Sequence, residues 1–430
     1  MSLYSPSQQQ YWRYQVADCT IYQKGKSFKL TGENISSIEI ENDYLNNTFP
    51  IFKVVFALDN EPYYYILQNK TTVKIYLRIQ KYYKMNAEDT NKSLLGDYLK
   101  GTFVTIMDEG DAYRDRLQDL ESRLRAVDST QALDDHCSNT LELYLYREET
   151  ATSIKQQLNT VLKNVNLAST IGYALGKSKV NNVLMSPLEN NFVYPILFLP
   201  PLSINKLIAH LDACYGFYKA GSLIFFGLDY TYIINFKGGA TAYTKGEKTD
   251  TCFLVPLETS AEAAQPGMAG KKDGKNYIVW KYSDVDFTNA SISRDVTTGT
   301  NATVVDANTG TTSSSKVSDK VQTNGDANTS YTENKGGNKW MADTLSSQAS
   351  ANANVLTGSI ANFDASALAP NKNISVIFED GALTNKYKGT YILTYASLKF
   401  VSDTGSGDFG LTAAIELRKT GSVSTSSKSV

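Results

Sequence analysis

Histidine is almost missing from this chain of 430 residues, which carries two, and cysteine is scarce at four. The cysteines, Cys19, Cys137, Cys214 and Cys252, lie far apart and form no CxxC, so a structural zinc site lacks ligands. His136 and Cys137 are the one adjacent pair, and a tetrahedral site would need two more ligands. Isolated buried thiols are the expectation, suited to assembly in a reducing cytoplasm. An excess of one charge is also missing. Lys and Arg number 42 against 44 Asp and Glu, a formal net charge of −2. That sum excludes the bulk field of a chain that grips nucleic acid through phosphates, while leaving room for a local basic patch.

Long hydrophobic runs are absent too. The two longest, "NFVYPILFLPPL" and "GSLIFFGLDYTYII", are broken by Pro, Gly or Asp short of a membrane span. The N-terminal "MSLYSPSQQQYWRYQ" has no apolar signal core. The expectation is a soluble chain that is not exported by an ordinary route.

Catalytic signatures are lacking. There is no Walker loop, no GxGxxG after a strand, no GxSxG and no HExxH. Two carboxylates suffice for a glycosidase, so "DEGD" at 108–111 and "EE" at 148–149 are formal candidates. Acidic residues on loops and helix ends read more simply as solvated surface. "GKSK" at 176–179 lacks the glycine frame of a phosphate loop. His210, beside Leu211 on a predicted helix, reads as a boundary histidine. No catalytic, cofactor-binding or metal residue is therefore assigned, and no cofactor is expected.

What is present is tyrosine, 28 residues against 3 Trp. Tyr buries a ring and keeps a polar end, which suits half-wet sheets and subunit contacts. Residues 16–83 read as β. In "NISSIEIEN" Ile38 and Ile40 alternate with Glu39 and Glu41. In "FPIFKVVFALDN" Phe52, Val54, Phe56 and Leu58 share one face of a strand over 51–58, opposite Ile51, Lys53, Val55 and Ala57. "EPYYYILQNK" suits a short helix with Pro62 in its first turn. Next, "TTVKIYLRIQKYY" places Val73, Ile75, Leu77 and Ile79 against Lys74, Tyr76, Arg78 and Gln80.

Residues 86–138 break this pattern. Leu117, Leu120, Leu124 and Val127 form a narrow stripe on a charged helix, read as an insertion on the barrel surface. "NTLELYLYRE" at 139–148 returns to strand and closes a first barrel. A different texture follows. "SIKQQLNTVLKN" reads as a helix capped by Ser153 and Gln156, with Ile154, Leu158, Val161 and Leu162 on one face. "SINKLIAHLDACYGFY" repeats it with Ser203 as N-cap, Ile204, Leu207, Ile208 and Leu211 inward, and Gly216 at the end. Strands follow around Gly221 and Gly227.

Residues 286–370 are mostly Ser, Thr, Asn, Gly and Asp and bury too little to fold alone. They read either as a segment ordered by neighbouring subunits, anchored by Trp340, Met341, Leu356 and Phe363, or as a tolerated surface insertion. Order returns with Ile374, Val376 and Phe378 and two long strands, "KGTYILTYASLKF" and "FGLTAAIELRK". In the first of these Tyr391, Leu393 and Tyr395 are the expected inward face, with Ile392, Thr394 and Ala396 outward.

The predicted fold class is β-rich α+β. Residues 1–150 form a first tube-type barrel with the 86–138 insertion, and 151–250 an α/β linker. Residues 251–285 with 371–420 form a second barrel around the 286–370 insertion, and 421–430 a polar tail.

The stretch "ISSIEIENDYLNNTFPIFKVVFALDNEPYYYILQNKTTVKIYLRIQKYY" resembles the first barrel of baseplate hub proteins of tailed, particularly contractile-tailed, bacteriophages. "ISVIFEDGALTNKYKGTYILTYASLKF" is similar to that family's last barrel, and "LIAHLDACYGFYKAGSLIFFGLDYTYII" to its middle region. The resemblance covers about half the chain, in collinear order. It implies a non-enzymatic virion protein: a homotrimeric ring of tail-tube-like barrels in the baseplate, assembled in the host cytoplasm. It joins the six-fold tail tube, or a tube-initiator protein, to a three-fold spike or tail tip. Its other neighbours are the surrounding baseplate proteins, and DNA passes only transiently through its channel during host cell entry. Readings from other classes are a tail-tip cell-wall hydrolase and a receptor-binding tail component.

Overall fold

The computed structural model describes residues 11–45, 49–68, 73–84, 93–105, 139–178, 182–218, 221–228, 230–235, 355–361, 363–370, 373–378, 390–402 and 407–419. Within 251–332 it describes the strand paths alone. The first strands are β1 (Tyr11–Gln23), β2 (Lys26–Leu30), β3 (Ile35–Asp43) and β4 (Ile51–Leu58). After helix α1 (Asn60–Gln68) come β5 (Lys74–Lys84), β6 (Ser93–Thr105) and β7 (Asn139–Arg147). Helix α2 (Glu148–Lys155) leads to β8 (Gln157–Asn166) and helix α3 (Leu167–Gly176). Then follow β9 (Val183–Met185), β10 (Val193–Ser203), helix α4 (Ile204–Tyr215), β11 (Ser222–Phe226) and β12 (Thr231–Asn235).

Short strands come next: β13 (Thr251–Val255), β14 (Ala269–Lys272), β15 (Lys275–Val279), β16 (Val285–Asp286), β17 (Asn301–Asp306), β18 (Thr312–Lys316) and β19 (Thr329–Thr332). The chain ends with β20 (Val355–Ala361), β21 (Ile374–Phe378), β22 (Thr390–Ser402) and β23 (Asp408–Lys419).

Alternation decides the barrel. Along β4, Phe52, Val54, Phe56 and Leu58 are fully buried while Ile51, Lys53, Val55 and Ala57 are half-buried, as a strand between core and surface requires. On the neighbouring sequence, Val73, Ile75, Leu77 and Ile79 are buried in the same way. The ring runs β1-β5-β6-β7-β4-β3-β22-β23 and returns to β1, eight antiparallel strands with no free edge. Closure rests on Tyr14 opposite Phe409 and Gln15 opposite Asp408. The β-rich α+β class and the barrel are what the structure has.

The partition of strands differs from the sequence reading at three points. β7 pairs with β4 and β6 inside the wall, so 139–148 does not close the barrel. β6 lies within 86–138, where the sequence reading had only an insertion; the stripe from Leu117 to Val127 falls outside the described residues. The third point is the second barrel. Hairpin β22–β23 belongs to the first barrel through β3 and β1, while its open end carries other strands. There β21 pairs with Ile374 opposite Tyr391, and β20 runs along Thr412–Arg418. The second body is therefore a sheet ordered β14-β15-β13-β21-β22-β23-β20-β16, open among the described residues. One hairpin serves both bodies.

A bulge marks the crossing between them. The β22–β23 register slips at Thr394, between Leu393 opposite Leu417 and Tyr395 opposite Glu416. Before it Tyr391, Ile392, Leu393 and Thr394 are all buried; after it Ala396, Leu398 and Phe400 point inward and Tyr395 is half-exposed. The expected split between an inward Tyr391, Leu393 and Tyr395 and an outward Ile392, Thr394 and Ala396 therefore fails: all of the outward set is buried and Tyr395 is not, because both faces of the strand are covered before the bulge and one extra residue flips every later side chain. The Thr394 carbonyl accepts from the Tyr44 amide at 3.0 Å, and its hydroxyl donates to Glu416 Oε1 at 2.8 Å.

The middle of the chain has its own core. Helix α4 buries Ile204, Leu207, Ile208 and Leu211 as its spacing predicts and ends at Gly216 with φ of 66°, a left-handed angle that favours glycine. Over 153–164 the helix reading fails. Helix α2 ends at Lys155, and β8 pairs antiparallel with β10. Gln157, Asn159, Val161 and Lys163 are exposed and Leu158, Thr160 and Leu162 half-buried, a period of two that polar spacing had disguised. The β11–β12 hairpin reaches the barrel core, where Tyr44 and Phe225 rings meet at 4.4 Å.

The end of the polar 286–370 segment is built into the fold. Leu356, Ile360, Phe363, Ala365 and Leu368 are buried, so Leu356 and Phe363 are anchors; Trp340 and Met341 lie outside the described residues. Tyr14 pins this stretch. Its hydroxyl donates to the Phe363 carbonyl at 3.0 Å and accepts from the Ala365 amide at 2.9 Å, and its ring meets Phe400 edge-on at 4.9 Å. Burial, then the Asp364 charge, pushes its pKa well up, so it stays a neutral donor. Lys81 Nζ adds an ion pair to Asp364 at 3.1 Å. Tyr14→Phe leaves a buried amide and carbonyl without that partner, and is expected to cost about 1–3 kcal/mol. Urea denaturation should show a lower midpoint at unchanged slope; an unchanged midpoint would contradict this account of the dock.

Candidate functional site

The structure scatters the chemistry-bearing residues that sequence reading singled out. Glu148 opens α2 and pairs with Lys74 Nζ at 2.6 Å, and Glu149 pairs with Arg147 at 3.1 Å. Both are surface ion pairs and do not face each other across a cleft. Residues 108–111, His136 and Cys137 lie outside the described residues, as does the side chain of Cys252. In "GKSK", Gly176 ends α3 and Lys177 lies over the Tyr173 ring at 5.6 Å. Cys19 is buried in the barrel core, where desolvation and then the Asp18 charge push its thiol up to about 12. It is an inert core residue. His210 and Cys214 touch one turn apart on α4, with the sulfur 3.6 Å from Nε2. No group of three His, Cys, Asp or Glu side chains that could hold a metal occurs among the described residues. No helix among them is long and apolar enough to cross a membrane.

One half-buried carboxyl stands apart. Asp212, in the last turn of α4, accepts from the Phe217 amide and from the Ser222 hydroxyl, each at 2.8 Å. It ties the helix end to the loop and to the start of β11. Desolvation pushes its pKa up to about 6, against the lowering effect of those two donors. Its role is architectural, since its two partners are donors within the same core.

The barrel's outer face carries paired charge. Lys53 meets Glu142 at 3.2 Å and Arg78 meets Asp97 at 2.8 Å. A shallow depression of about 500 Å³ lies between β20, β22 and β23, lined by Gly358, Ser359, Tyr395, Ala414 and Glu416 among others. Its lining offers no convergent set of acid, base or nucleophile.

What stands out is an apolar surface. The β8–β10 ribbon turns Leu197, Leu199 and Tyr194 into its core and leaves Val193, Ile196 and Phe198 of β10 and Val161 of β8 in the open. Val161 and Phe198 are direct cross-strand partners, 51% and 50% exposed. The sequence signal was there in the alternation of "QLNTVLK", and a helical reading of that stretch hid it. A smaller exposed pair, Leu94 and Leu95, lies on β6.

A family model described as Bacteriophage PBS1 gene 109 protein matches residues 11–425. The chain belongs to that family. No curated protein sequence matches it. Among solved structures, this gene 109 family member is similar to the tail protein from Neisseria meningitidis MC58. They share 10% identity over 94% of this chain and 96% of that one, at a TM-score of 0.49. It is also similar to the 43 kDa tail protein of prophage MuSo2 from Shewanella oneidensis, at 11% identity, 94% and 98% coverage and a TM-score of 0.46. The Francisella PdpA–VgrG complex is a third, at 11% identity over 97% of this chain and 54% of that one, with a TM-score of 0.45.

Asp212 generates a prediction for pH. Its folded pKa lies above that of an unfolded aspartate, so the folded state binds the proton more tightly. Stability from this group is full at low pH and is lost as pH rises through about 6. Asp212→Asn keeps an acceptor for Phe217 and removes the titration. Unfolding free energies of the two proteins should diverge from pH 4 to 7 in favour of the Asn variant, then run parallel. Parallel curves throughout would contradict a carboxyl with a raised pKa.

Proposed function

We propose that this bacteriophage protein is a structural, non-enzymatic component of the virion tail baseplate. In this reading three copies form a hub ring between the six-fold tail tube, or its initiator, and a three-fold spike or tail tip. The ring continues the channel through which DNA passes, and its outer surfaces meet the surrounding baseplate proteins. Assembly takes place in the host cytoplasm.

The observation that carries the reading is the closed eight-stranded barrel joined to a second sheet through one hairpin. Each chain thereby presents two β bodies held in fixed relation, so three chains present six such bodies with three-fold symmetry. The barrel wall itself has no free edge at which uncontrolled strand addition could begin. The resemblance in sequence and the membership of a bacteriophage family point the same way.

Electron microscopy of particles with the chain labelled, together with quantitative mass measurement of its copy number, tests this. The expected result is three copies at the junction of tube and spike. Copies numbering two, four or six, or a label at fibre tips, would overturn the reading in favour of a peripheral component.

A further inference from the structure

We infer that the exposed face of the β8–β10 ribbon is a subunit interface, covered in the assembled protein by a second copy of this chain. The inference rests on the hub-ring reading and names a surface on which the ring closes.

The ribbon is an unusual element to leave in water. Among the described residues its two strands pair only with each other, and its inner face packs on the surrounding core. Along β10 the burial phase flips between Tyr194 and Leu197, opposite Asn164 with its φ of 49°. Val193 before the flip and Ile196 and Phe198 after it therefore all end on the outer side. Their exposures are 61%, 64% and 50%, and Phe192 adds 37%. Of the thirteen large hydrophobic residues that are exposed among the described residues, five lie here, counting Val161. Solitary exposed aliphatics need no explanation, whereas a group of this size marks a contact surface.

The area fits a protein partner. Five half-exposed side chains offer roughly 400–500 Å² of apolar surface. A standard interface covers about 800 Å² on each side, somewhat over half of it apolar, so the face supplies the apolar centre of one such interface. Along the two described strands Lys163, opposite Ile196, is the one charged residue, and no carboxylate of these strands accompanies it to select a basic partner. Strand addition at the edge of β10 is disfavoured by Pro195, Pro200 and Pro201, which lack the amide a neighbouring strand would need. The occupant is thus a surface packed face-on. Closed homo-oligomers are the commonest soluble assemblies, and in a three-fold ring each contact is heterologous. The ribbon face of one chain accordingly seats on a different surface of the next.

Replacing Ile196 with photoreactive p-benzoylphenylalanine in the full chain, and irradiating assembled particles, reads the occupant directly. The expected product is a covalent pair of two copies of this chain, identified by mass spectrometry. A product with any other polypeptide, or no product, overturns the inference. As a second arm, Ile196→Glu with Phe198→Glu should abolish incorporation into particles while leaving the thermal unfolding midpoint of the free chain unchanged. Normal incorporation overturns it equally. The hub reading fails separately: three copies per particle with no self-product leaves the ring standing and removes only this surface, whereas a copy number other than three removes the ring.

Discussion

Everything in this fold depends on a ring of backbone hydrogen bonds that closes only when the two ends of the chain meet. β1 and β3, from the first 43 residues, receive their outer partners from β23 and β22, more than 350 residues later. Asn42 opposite Ala396 is such a pair. A six-strand remnant without the hairpin would leave rows of unpaired amides and carbonyls beside an apolar core, each costly to strand away from water. Strand β1 and the C-terminal hairpin are therefore part of one core that includes Tyr14, Phe52, Leu393 and Phe400.

The same constraint explains how two sheet bodies are kept in register. A hairpin of thirteen and twelve residues is long enough to serve the barrel at its turn end and a second sheet at its open end. The Thr394 bulge reorients the side chains where the hairpin crosses from one to the other. Even the turn end is fitted closely. A Cβ on Gly32 would lie 2.9 Å from the Gly407 carbonyl oxygen, so the loop before β23 rests on backbone that only glycine leaves room for. The two β bodies are thus joined through continuous backbone pairing along one hairpin.

Local pattern was legible in the sequence where one face is buried and the other wet. The strand from Ile51 to Leu58 and the helix from Ile204 to Tyr215 emerge with their faces correct. Partnership was not legible, because a strand's alternation says nothing about which distant strand lies beside it. For that reason the C-terminal hairpin read as a separate barrel. The ribbon strand Gln157–Asn166 was misread for a different reason. Its outer face mixes Val161 with Gln157, Asn159 and Lys163, and its inner face is only half-buried, so neither period dominates.

Native-state hydrogen exchange on the intact protein tests the closure most directly. Amides of 37–43 in β3 and of 395–401 in β22 pair with each other. If the barrel closes through the C-terminal hairpin, both segments open only with the whole barrel, and should share one opening free energy with 51–58 and 74–80 across a denaturant series. Exchange of 395–401 by a separate, lower-energy opening that leaves 37–43 protected would show the hairpin to be an independent unit, and would contradict the account.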